Sequence, residues 1–185
     1  MRVIAGRLRG RRLHTTPDLA TRPTSDRARA GLFDWLGAGI ADASVLDLFA
    51  GSGSVGIEAL SRGAESITFV ESARGACAAL RRNLCDLELV DAVRLLPYDV
   101  RRGVRTLLKE EAQFDLVFAD PPYGRDVVPG MESIEKLLTR AGELVIERSA
   151  RSPETAPGPG LVLRDSRTWG ETRFDRYQRG EGHTE

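Results

Sequence analysis

Lysine, histidine and cysteine are scarce, with two of each in 185 residues. Cys77 and Cys85 fall eight residues apart in one predicted helix, about 12 Å at 1.5 Å per residue, which is beyond disulfide reach. His14 and His183 add too few ligands for a structural zinc site, so two reduced thiols and no metal are expected. Long apolar runs are also missing. No segment approaches the roughly 18 residues of a membrane helix, and the arginine-rich start has no signal-peptide stretch, so the expected location is cytoplasmic. Wholesale disorder and collagen-like repeats are excluded by 41% hydrophobic and 29% charged residues.

What the chain has in quantity is arginine, and it is placed unevenly. Net charge is +0, yet residues 1–30 hold eight arginines against Asp18 and Asp26, a local +6. Guanidinium forks match phosphate geometry, so a cluster at one end suits nucleic acid, although taken alone it also fits a solvated basic arm.

From Ser44 the chain alternates short apolar runs with helical stretches, the pattern of a parallel sheet covered on both faces. Strands are expected at 44–50, 66–71, 92–96, 114–119 and 143–147, with 161–164 and 173–178 as a closing antiparallel pair. Helices are expected from Thr24 or Ser25 to Leu36, from the glycine loop to Arg62, and from a Ser72 cap to Leu84. The expected organisation is one domain over 1–185: a basic extension (1–30), an α/β core (31–180) and a frayed tail (181–185).

Gly51-Ser-Gly53-Ser-Val-Gly56 follows the first strand, and Glu71 stands twenty residues on, at the end of the second. This spacing fits a nucleotide cofactor whose ribose hydroxyls bond Glu71. Asp47, in the first strand near the loop, distinguishes the candidates. A carboxylate there repels a pyrophosphate and attracts the amino group and sulfonium of S-adenosylmethionine. Asp99, after the third strand, can accept from the adenine amine, although an exposed turn aspartate fits the same position.

Asp120-Pro121-Pro122-Tyr123 directly follows the fourth strand. The prolines stop the ladder and hold the flanking side chains at the carboxyl edge of the sheet, where ligands bind in such folds. An exocyclic amine is a poor nucleophile because its lone pair is delocalised into the ring. Asp120 can accept hydrogen bonds from that amine and aim it, while Tyr123 stacks on the base.

Together these motifs resemble the adenosylmethionine-dependent amino-methyltransferases, and within them the RsmD family. The likeness spans nearly the whole chain. It includes Arg2-Val-Ile-Ala-Gly with Arg9-Gly-Arg11, Arg22-Pro-Thr-Ser-Asp-Arg27, Phe49-Ala-Gly-Ser-Gly53, Glu58-Ala-Leu-Ser-Arg-Gly63, the Asp-Pro-Pro-Tyr turn, Trp169-Gly-Glu-Thr172 and Tyr177. The Arg-Pro-Thr segment is the specific part.

The resemblance implies a Rossmann-like class I methyltransferase sheet, mostly parallel with an antiparallel C-terminal strand and helices on both faces. It implies methylation of the N2 amine of a guanine, number 966, in 16S rRNA; the +6 segment on one small domain suits a small-subunit ribonucleoprotein particle as substrate, and nothing demands more than a monomer. Asp47, Phe49, Gly51, Ser52, Gly53, Glu71, Ser72 and Asp99 would bind the cofactor, with Arg22 and Thr24 at the same mouth. Asp120, Pro121, Pro122 and Tyr123 would hold the base, and Arg7, Arg9, Arg11 and Arg27 would contact RNA. The family often has an acidic residue where Ala30 stands, and a tyrosine where Trp169 stands.

Three rivals are weaker. An adenine or glutamine amino-methyltransferase would need extra length to read a DNA sequence, or an Asn in place of Asp120. An NAD-dependent oxidoreductase conflicts with Asp47. A non-enzymatic RNA-binding module leaves the Asp-Pro-Pro-Tyr turn and the acidic pocket unexplained.

Overall fold

The computed structural model describes residues 1–15, 25–121, 131–152 and 158–180. Its seven strands are β1 (Ser44–Leu48), β2 (Ser66–Val70), β3 (Val93–Leu96), β4 (Phe114–Ala119), β5 (Leu138–Ser149), β6 (Leu161–Trp169) and β7 (Thr172–Arg179). They form one sheet in the order β3-β2-β1-β4-β5-β7-β6. The first five pair in parallel, while β5–β7 and β6–β7 are antiparallel. The helices are α1 (Asp26–Leu36), α2 (Ser54–Ser61), α3 (Arg74–Asp86) and α4 (Val100–Lys109).

Alternation along the strands divides the core. Val45, Phe69, Leu116 and Phe118 pack toward α1, α2 and α3. Leu46, Leu48, Val70 and Val117 pack toward α4 and a 3-10 turn at Met131–Leu137. A strand's two-residue side-chain period makes this division automatic once both faces are covered. The chain leaves β1 in one direction to β2 and β3, then returns on the other side to β4. This is the switch point at which doubly wound sheets open a crevice.

The structure alters several expectations. Ser25 caps α1, accepting from the Ala28 amide. Ser72 does not cap α3: the cap position is Ala73, whose amide donates to the Glu71 carboxylate instead. Helix α4 has no counterpart in the sequence reading, although Asp99 caps it and Val100, Val104 and Leu107 bury at helical spacing. Strand β5 runs from 138 to 149, and the C-terminal hairpin is longer than expected, turning at Gly170 and Glu171. Trp169 packs against Trp35 and Phe174 and fills the space over Gly31, where a Cβ would lie 2.3 Å from its ring.

The basic start is not a free arm. Arg2 and Arg12 form an antiparallel bridge, and Val3, Leu8 and Leu13 bury in the core cluster beneath α1–α3. Each of those helices contributes polar side chains to this N-terminal segment. From α1, Arg29 donates to the Arg2 carbonyl at 2.6 Å. From α2, Glu58 accepts from the Ile4 and Ala5 amides at 2.7 and 3.0 Å. Ser61 accepts from the Leu8 amide and donates to the Ala5 carbonyl. Gly6, at φ +76°, touches Ser61 so closely that a Cβ would overlap its carbonyl. From α3, Asn83 bonds both the amide and the carbonyl of His14. Arg7, Arg9 and Arg11 are therefore exposed on a folded turn.

Candidate active site

Leu48 and Ala119 are register partners at the ends of β1 and β4, so the glycine loop and the Asp120-Pro121 turn leave the sheet side by side. The Asp120 amide reaches the Leu48 carbonyl at 3.4 Å. Phe49 turns the chain out of β1 at φ +61°, a conformation costly for an aromatic residue, and Gly51 and Gly53 follow at +57° and +82°. Gly53 is the cap position of α2 and lies against Leu80, where a Cβ would come within 2.3 Å of the leucine methyl. Ser52, between the glycines, is buried.

Glu71 anchors the loop from the end of β2. One carboxylate oxygen accepts from the Gly51 amide at 2.8 Å and the other from Ala73 at 2.7 Å. Each oxygen keeps a lone pair for a ribose hydroxyl. Asp47 lies deeper than its sequence position suggests, 2% exposed under the start of α2, where it accepts from the Gly56 amide at 3.0 Å. Burial pushes its carboxyl up to about 7; the Gly56 hydrogen bond opposes the shift and Glu71 adds to it. Asp99 is exposed, with one oxygen on the Arg102 amide as the cap of α4.

Asp120 is half-buried at the mouth. Burial holds its carboxyl well above the usual range, and the nearby Glu147 and Asp47 charges raise it further. Glu147, only 4% exposed, follows Ile146, the register partner of Ala119. The sequence reading missed it, although a carboxylate ending the apolar run Leu144-Val-Ile is a signal in its own right. It also missed the clamp formed by Glu58, Ser61 and Asn83. Asn83 could have been read from its place three residues beyond Leu80 on the buried face of α3.

Carboxylates that raise one another's proton affinity around a glycine loop suit a ligand carrying positive charge. They disfavour a pyrophosphate, so the donor set fits S-adenosyl-L-methionine. Arg27 is exposed on the first turn of α1, and Arg11 donates to the Asp86 carbonyl at 2.7 Å. Arg22, Thr24, Pro122 and Tyr123 lie outside the described residues. No helix among the described residues is long and apolar enough to cross a membrane.

Comparisons with known proteins agree with this geometry. The family model described as Conserved hypothetical protein 95 matches residues 1–178. Ribosomal RNA small subunit methyltransferase D of Haemophilus influenzae is 39% identical over 185 residues, covering 96% of this chain and 93% of that protein. The Escherichia coli protein of the same name is 39% identical over 147 residues, 80% of this chain and 71% of its own length. Among solved structures, the yhhF protein of Escherichia coli superposes with a TM-score of 0.82 at 31% identity over 97% of both chains. A SAM-dependent methyltransferase from Agrobacterium tumefaciens shares the fold at 20% identity and a TM-score of 0.63, over 81% of this chain and 61% of that one. The sheet is the Rossmann-like sheet of class I methyltransferases, and the chain belongs to the RsmD family of methyltransferases.

Proposed function

We propose that this protein methylates the exocyclic N2 amine of a guanine in 16S rRNA, guanine 966 by family likeness, within a small-subunit particle. The cofactor is S-adenosyl-L-methionine, which supplies an electrophilic methyl group on a sulfonium. The observation that carries the reading is the adjacency, at the switch point, of an acidic glycine loop and an Asp-Pro turn. In this reading 1–185 acts as one methyltransferase domain, a cytoplasmic monomer that uses no metal.

Each group has a separate task. Gly51, Ser52 and Gly53 bring backbone against the cofactor with Phe49 holding the turn, Glu71 takes its ribose, and Asp47 sets a negative potential beneath the loop. Asp99, the cap of α4 just beyond β3, would accept from the adenine amine, and Ser72, Arg22 and Thr24 would contact the cofactor. Asp120 accepts a hydrogen bond from the target amine and aims its lone pair, while Pro121 and Pro122 fix the turn and Tyr123 stacks on the base. Alignment supplies most of the rate. Asp120, with its raised proton affinity, is suited to take the proton the amine sheds after transfer. Arg7, Arg9, Arg11 and Arg27 contact RNA phosphates.

The test is methyl transfer from labelled S-adenosylmethionine to small-subunit particles lacking the modification, with naked rRNA, DNA and protein in parallel. Label recovered as N2-methylguanine in 16S rRNA supports the reading. Label in DNA or protein, or on another rRNA atom, overturns it.

A further inference from the structure

Asn83 touches two functional segments at once. Its side chain is 1% exposed and all its main hydrogen-bonding capacity is used. The amide nitrogen donates one hydrogen to the Ser52 carbonyl in the glycine loop at 2.9 Å and the other to the His14 carbonyl at 3.0 Å. Its oxygen accepts from the His14 amide at 2.7 Å. No other asparagine atom could substitute, because the two donors and one acceptor are fixed in a plane. The His14 ring also meets Asp86, one helical turn further along α3, at 2.9 Å.

We propose that Asn83 is a positioning residue that couples cofactor binding to the docking of the basic N-terminal segment, so that cofactor and RNA bind cooperatively. The inference rests on the reading that the glycine loop holds S-adenosylmethionine and that the segment contacts RNA. Ser52 sits between two glycines, both at positive φ, and the peptide that follows it is held at both ends, its carbonyl by Asn83 at 2.9 Å and the Gly53 N–H by the Ala50 carbonyl at 2.8 Å. A cofactor seated on the glycine loop favours this held arrangement and with it the direction of the Ser52 carbonyl. The Asn83 amide plane follows, because one nitrogen serves both carbonyls, and the His14 end of the arginine turn is held accordingly. A buried polar network of this kind transmits orientation because no partial arrangement satisfies it. Linkage requires the effect to be reciprocal: RNA on the segment must tighten the cofactor by the same factor.

The experiment uses the full chain. Amide hydrogen exchange over residues 1–14 is measured with and without S-adenosylhomocysteine, in the wild type and in the isosteric Asn83→Asp. That substitution keeps the acceptor for His14 and turns the donor into an oxygen facing two carbonyls. In the wild type, S-adenosylhomocysteine slows exchange at Leu13 and His14 several-fold. In Asn83→Asp that cofactor-dependent slowing disappears, whatever its basal rate. RNA affinity with and without S-adenosylhomocysteine gives the coupling directly: at least about fivefold in the wild type, falling toward one in the variant. A wild type that binds S-adenosylhomocysteine without any change of exchange in the segment overturns the proposal. So does a variant with undiminished coupling. If Asn83→Asp does not fold, the wild-type exchange decides alone. If rRNA proves not to be the acceptor, the functional reading falls, while exchange with cofactor alone still decides the role of Asn83.

Discussion

Glu58→Gln is the sharpest perturbation of the N-terminal clamp. The carboxylate is fully buried, and its two oxygens receive the Ile4 amide at 2.7 Å, the Ala5 amide at 3.0 Å and the Arg62 guanidinium at 2.8 Å. Arg62 lies over the Phe33 ring and reaches Asp34, so Glu58 joins the segment to α1 as well as to α2. Glutamine has the same shape but one acceptor oxygen. Its amide would face a backbone N–H, leaving two donors opposed in a dry site and Arg62 without its buried counter-charge. Breaking a buried pair while stranding a donor costs about 3–5 kcal/mol. At about 2–4 °C per kcal/mol for a chain of this size, the melting temperature should fall by roughly 6–20 °C. Thermal unfolding followed by circular dichroism reads the shift directly. The control is Glu110→Gln, which removes an exposed pair with Arg94 and should leave the transition nearly unmoved. Equal shifts in the two variants would refute the argument that buried carboxylate bonds fasten the basic turn.

Asp120→Ala should abolish methyl transfer while S-adenosylhomocysteine still binds; calorimetry showing lost cofactor binding would contradict its place at the base. Asp47 titrates near 7, so the apo protein binds its proton more tightly than the unfolded chain does, and this group's contribution to stability declines as pH rises from about 4 to 7. The positive charge of S-adenosylmethionine favours the ionised form, so S-adenosylmethionine affinity should weaken toward tenfold per pH unit below about 7, and Asp47→Asn should flatten that profile. A wild-type affinity independent of pH between 5.5 and 7.5 would rule this out. Replacing Arg9 and Arg11 together should weaken RNA binding and lower the salt slope by about 2, read by filter binding across a salt series. An unchanged slope would make the turn merely solvated.

The α/β alternation, the glycine loop and the Asp-Pro stop after β4 were legible in the sequence, because each is a local pattern. Strands β1 to β4 fall within two residues of where apolar runs place them. The loop is announced by glycines that must take positive φ, and Asp120-Pro121 by the incompatibility of proline with a continuing ladder. Helix α4 escaped although its signals are local: an Asp99 cap and Val100, Val104 and Leu107 at helical spacing, with arginines on the outer face. The remaining features join partners far apart in the chain. Asp47 is buried beneath the start of α2, where it accepts from the Gly56 amide, and Glu147 comes to Asp120 across β4 and β5. The first fifteen residues read as a charged arm because their arginines dominate the composition. They are a folded turn because Glu58, Ser61 and Asn83, some 50 to 70 residues away, satisfy their backbone. A buried hydrogen bond between distant segments leaves no periodicity in either one, so only the packed helices reveal that the basic turn and the glycine loop share a single asparagine.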